Sequence, residues 1–188
     1  MCQEDKDVKI AGNKPSDSLK NQNTFSAESD EFEKERKSGN LTRAKKLGEL
    51  VADEFRHACN DGMPSLEDDE NNNEMIAQRI LLLSFTATVG FEKFCTGTVT
   101  ARTAQTAFFD RLQQVDPELY QNSADTGAFS FYFLAFRRGN EVERRVGQTF
   151  AMLCAHDGDP IYQELGEALY CWFSAVVEQK AKQVEFKM

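Results

Sequence analysis

Phe129, Tyr132, Phe133 and Phe136 recur at i, i+3, i+4 and i+7, the spacing that gathers apolar side chains on one face of a helix. Gly139 follows at the position where a helix end needs a left-handed residue, a conformation that glycine reaches without a Cβ clash. The same grammar continues to the C-terminus. Asn140 and Glu143 have the spacing of a capping box, Val142, Val146, Phe150 and Leu153 form the next stripe, and Asp157-Gly158 is read as its end. Asp159 then caps and Pro160 opens a last helix, in which Leu165, Leu169, Trp172 and Val176 share a register.

Upstream, Asn40 or Thr42 starts a helix carrying Leu47, Val51 and Phe55 and stopping at Asn60-Asp61-Gly62. A second helix from about Glu74 to Phe94 is apolar on most of its circumference, the mark of a central helix. A third, from about Ala101 to Val115, buries Phe108 and Leu112, and Asp116-Pro117 opens a short helical turn through Tyr120. These segments predict an all-α fold, a compact multi-helix bundle of about six helices in a single domain over residues 39–188.

Residues 1–38 read differently. They are rich in Asn, Ser, Asp, Glu and Lys, with Phe25 and Phe32 as the only aromatics, too little apolar area to offset chain entropy. We expect a disordered polar leader, with the charged stretch around Phe32 able to extend the first helix or recruit a partner. The acidic run Glu67-Asp68-Asp69-Glu70, followed by three asparagines, reads as a solvated loop.

The formal net charge is −9, and nine acids against seven bases in residues 1–40 leave most of it on the body. An acidic body disfavours nucleic acid and anionic membranes, which need a basic surface. The apolar run Ile80 to Phe91 is shorter than the roughly 20 residues that span a bilayer, so it is expected inside the core. Five cysteines, odd in number and set mostly in apolar helices, fit reduced thiols in a cytoplasm better than a secreted disulfide scaffold. No apolar stretch follows Met1, as a secretory signal would require.

Catalytic signatures are sparse. No Gly-x-Ser-x-Gly elbow, phosphate loop or dinucleotide turn occurs, which disfavours nucleotide hydrolysis and dinucleotide redox chemistry. Glu54 and His57 have the Glu-x-x-His spacing of di-iron bundles, but the second such motif is missing. His57 with Cys59, and Cys154 with His156, offer two imidazoles and two thiols, a sensible zinc set, or a cysteine nucleophile with a histidine base. Residues two apart on a helix point about 200° apart, so each pair converges only where its helix unwinds. Arg137, Arg138, Arg144 and Arg145 straddle a helix start that could hold an anion, although Glu141 and Glu143 offer neutralising partners there.

Tyrosine and tryptophan need hydrogen-bond partners if buried, so Tyr132, Tyr162, Tyr170 and Trp172 are the expected interaction residues. The functional expectation is a non-enzymatic protein-interaction or regulatory module with a protein partner or a second copy of itself. It has no cofactor and binds neither nucleic acid nor membrane. The alternative is a small-ligand or metal-binding bundle using His57, Cys59, Cys154 and His156.

Overall fold

The computed structural model describes residues 29–60, 70–123, 126–137 and 139–187, and all regular structure among them is helical. Eight helices are present in this described part rather than about six: α1 (29–38), α2 (Asn40–Asn60), α3 (Glu70–Phe94), α4 (Thr98–Val115), α5 (Pro117–Ser123), α6 (Thr126–Arg137), α7 (Val142–Leu153) and α8 (Pro160–Val184). The surplus comes from α1, which lies in the stretch read as leader, and from α5, which continues the expected turn to Ser123. The expectations for residues 1–28, for most of the acidic loop before α3 and for Arg138 fall outside the described residues.

Helix α3 is the axis of the packing. Every residue from 81 to 91 is buried, because two separate clusters use opposite faces of the helix. Leu83, Ala87 and Phe91 meet α2, α4 and the second half of α8 through Leu47, Phe55, Phe108, Phe173 and Val177. Leu82, Phe85 and Val89 meet α6 and α7 through Tyr132, Val146 and Phe150. A helix that serves two cores must be apolar all round, which is the pattern its sequence shows. By length and composition alone, Asn73–Phe94 would also suffice to cross a membrane. Two of its buried hydroxyls are satisfied locally: Thr86 Oγ1 donates to the Leu82 carbonyl at 2.7 Å and Thr88 Oγ1 to that of Ser84 at 3.1 Å, while the buried Ser84 hydroxyl has no partner among the described residues.

Two crossings depend on missing side chains. A Cβ on Gly48 would collide with the Ala104 carbonyl oxygen, and one on Gly147 with that of Gln163, so α2 approaches α4, and α7 approaches α8, backbone to backbone. Asp53, five residues beyond Gly48, accepts from Arg111 Nε at 3.0 Å, so α2 and α4 run in the same direction.

The last ten residues of the expected leader are an ordered helix with polar anchors. Glu31 Oε1 accepts from the Val99 amide at 3.1 Å and so caps the first turn of α4 from outside it. Glu35 is buried and accepts from Asn40 Nδ2 at 2.6 Å and from Thr96 Oγ1 at 3.3 Å. Asn40 also exchanges two hydrogen bonds with the Lys187 backbone, at 2.8 and 2.9 Å, and so fastens α1 and α2 to the C-terminal end.

Four helix ends differ from expectation: α3 starts at Glu70, so Glu70 and the three asparagines of the stretch read as a loop are helical, α4 starts at Thr98 rather than about Ala101, and both ends of α7 move. Helix α7 is preceded not by an Asn140 cap but by Glu141, held in the left-handed region at φ 52° with no side-chain cap bond. It finishes at Leu153, before Asp157-Gly158, because Ala155 turns left-handed at φ 58° and the His156 amide bonds back to the Ala151 carbonyl at 2.9 Å. The start of α8 is as predicted: Asp159 Oδ1 accepts from the Ile161 amide at 2.9 Å, with Pro160 in the first turn.

Candidate interaction surface on the last helix

The inward face of α8 is Gly166, Tyr170, Phe173, Val177 and Ala181, rotated from the stripe that the sequence spacing suggests. Leu169 and Val176 from that stripe are half-buried, whereas Leu165 and Trp172 are solvent-facing, Trp172 with 47% of its surface exposed. Gly166 sets this rotation. A Cβ there would come within 2.6 Å of Phe150 Cβ, so only a residue without a side chain lets α8 lie this close to α7.

Turning those residues inward leaves the outward face unusually apolar. Between 161 and 175 the exposed positions of α8 are Ile161, Glu164, Leu165, Ala168, Cys171, Trp172 and Ala175, with a single charge among them. Ile161 is 73% exposed. An exposed helix face normally carries its polar residues, so a four-turn apolar strip is a surface with a task.

Beside the strip lies a groove of about 340 Å³ between α2, α3 and α8, lined by Glu54, His57, Ala58, Arg79, Trp172 and Val176, with Phe173. Its walls are tied together by charge-assisted bonds. Arg79 Nη2 donates to the Ala58 carbonyl at 2.7 Å, joining α3 to the end of α2, and Lys180 Nζ reaches Glu54 Oε1 at 2.7 Å, joining α8 to α2. The Trp172 ring packs on Phe173 with centroids 5.7 Å apart, which holds the indole against the body while leaving its outer face to solvent. A smaller groove of about 270 Å³ between α6 and α7 exposes Phe131, Leu134 and Met152. Arg145 lines it, and its buried Nη1 has no hydrogen-bond partner among the described residues.

Of the four expected interaction residues, Trp172 alone is exposed. Tyr132 is fully buried, stacked on Phe85 at 5.2 Å, and its hydroxyl finds no partner among the described residues. Burial pushes its phenol well above the usual range, with Cys154 adding to the effect. Tyr170 belongs to the second core, and burial, then Glu143 and Cys171, raise it to about 12. Tyr162 is half-buried and stacks on His156 with centroids 3.8 Å apart.

The four candidate metal ligands do not converge among the described residues. Cys59 packs against the first core and Cys154 lies in the second, so their helix ends carry the two Cys-His pairs apart. Among the described residues no three His, Cys, Asp or Glu side chains converge as a metal site requires. Burial raises the Cys59 thiol to about 12 against a partial opposing effect of Arg79, and raises Cys154 likewise with help from Glu74. Such thiols are protonated near neutral pH, the reverse of what activates a nucleophile. In the arginine cluster, Arg144 pairs with Glu141 at 3.5 Å across an exposed turn, an ordinary surface ion pair.

Sequence reasoning passed over Ile161, Leu165, Ala168 and Ala175 as surface residues. The signal was present in the 4-3-4-3 spacing they make together with Trp172, but α8 is apolar on several sides and a period does not say which side the body covers. No protein-family model, curated protein or solved structure matches this chain.

Proposed function

We propose that this protein is a helical interaction module that engages a protein partner through the outward face of α8. The observation that carries the reading is the four-turn apolar strip with Trp172 in its length, next to a polar-rimmed groove. A tryptophan within an apolar patch, beside a pocket that can be dried on docking, is the composition of a binding hot spot. The rest of α8 supports it: Phe173, Val177 and Ala181 are locked in the core, so the strip is presented on a rigid element and pays little ordering entropy on docking.

The test is a native mass spectrum of the protein purified under mild conditions from its own cells, beside that of Trp172→Glu. The expected result is additional mass of protein size, another chain or a second copy, that is lost in the variant. A small bound mass that survives Trp172→Glu and leaves only on denaturation would replace this reading by a small-ligand bundle.

A further inference from the structure

The outward strip of α8 has a spacing that selects its occupant. Ile161, Leu165, Ala168, Trp172, Ala175 and Gln179 are separated by 4, 3, 4, 3 and 4 residues, the alternation of a coiled-coil seam, and all six are exposed. Building on the interaction reading above, we propose that the partner is a second copy of this chain, paired through α8 in antiparallel orientation about a two-fold axis between Ala168 and Trp172.

Side-chain size argues for that alignment. Around this axis Trp172 lies over the partner's Ala168, Leu165 over the partner's Ala175 and Ile161 over the partner's Gln179. The two largest apolar side chains of the central seam each meet an alanine, which is how facing layers interdigitate without voids or clashes. A parallel pairing would instead set Trp172 on Trp172 and Ala168 on Ala168, a collision followed by a gap. A seam that complements itself under two-fold rotation is what an isologous interface requires.

The contact is small. From Ile161 to Gln179 the seam is about 27 Å long and buries on the order of 400 Å² per subunit, below the size of a permanent interface. The dimer is therefore a reversible one that forms with rising concentration.

Sedimentation velocity on the full chain from about 5 to about 500 μM tests it. The weight-average mass should climb from the monomer value of 21.3 kDa toward twice that figure. Leu165→Glu, at an exposed position that leaves the core intact, should stay monomeric throughout with an unchanged circular dichroism spectrum. Orientation is read by a short bis-maleimide in a Cys2→Ser, Cys171→Ser background: Ile161→Cys mixed with Gln179→Cys should cross-link to each other, and neither to itself. A mass that stays at the monomer value at every concentration overturns the dimer. If the native spectrum still shows a Trp172-dependent foreign chain, the interaction reading survives that result; if it shows none, both fall. Self-linking of Ile161→Cys overturns the antiparallel arrangement.

Discussion

Trp172 and Phe173 are adjacent in sequence and face opposite environments. Phe173 is fully buried, edge-on to Phe55 at a centroid distance of 6.1 Å, in the cluster that joins α2, α3 and α8. Trp172 rests on the surface. Phe173→Ala should cost about 3 to 5 kcal/mol, since it removes buried area and leaves a cavity that rigid helices cannot close. Trp172→Ala should cost under about 1 kcal/mol, as truncation of a partly exposed side chain usually does. Urea denaturation of the two variants checks the pair, and a Trp172→Ala loss as large as that of Phe173→Ala would place the indole in the core. Sequence spacing puts Trp172 in a stripe with Leu169 and Val176, one residue away from the observed inward set. The distinction turns on Gly166, whose contact with Phe150 rotates α8, and an interhelix contact of that kind is written in no single helix's pattern.

At the scale of elements, α2, α5 and the start of α8 were legible because glycine and Asp-Pro punctuation is local chemistry, and α3 because it is apolar all round, although its start lies at Glu70 rather than about Glu74. Helix α1 was legible only as an alternative, the charged stretch around Phe32 that could extend the first helix, and for a physical reason. It docks through Glu31 and Glu35, two carboxylates in a polar stretch, and hydropathy does not register an anchor made of hydrogen bonds. A chain beginning at residue 39 loses the cap on α4 and leaves Asn40 without its carboxylate partner. Compared with a chain beginning at residue 29, it should be about 2 to 3 kcal/mol less stable, because a buried polar group stripped of a charged partner costs that much. For a chain of this size that is a fall of roughly 5 to 10 °C in Tm. Differential scanning calorimetry of the two chains decides the matter, and equal midpoints would show that α1 contributes no net stability. The same reasoning explains the shifted end of α7. Its stop is made by Ala155 in a left-handed conformation, a residue that gives no sequence signal for that role, ahead of the Gly158 that does.

For the whole molecule, the two clusters that share α3 also share a response to alkali. Cys59 and Cys95 pack against the first cluster and Cys154 lies in the second, and burial is the leading cause that raises each thiol from an ordinary value of 9.0 to about 12. Tyr170 moves from 10.0 to about 12 in the same direction, chiefly through burial. The folded state therefore keeps these protons at pH values where the unfolded chain has released them. Where the unfolded state binds fewer protons, stability falls as pH rises. Their stabilising effect is thus fully present below about pH 9, declines between about pH 9 and pH 12, and acts in the two cores together. Urea midpoints measured at about pH 7.5, 9 and 10.5 should be level over the first interval and drop over the second, with an unchanged m value if unfolding stays two-state. Replacing Cys59, Cys95 and Cys154 together by alanine should flatten the drop, because apolar side chains of similar size have no proton to lose. A midpoint that stays level in the parent protein to pH 10.5 would mean that water reaches these thiols in the folded state, and with it that the two cores are less closed than the packing around α3 requires.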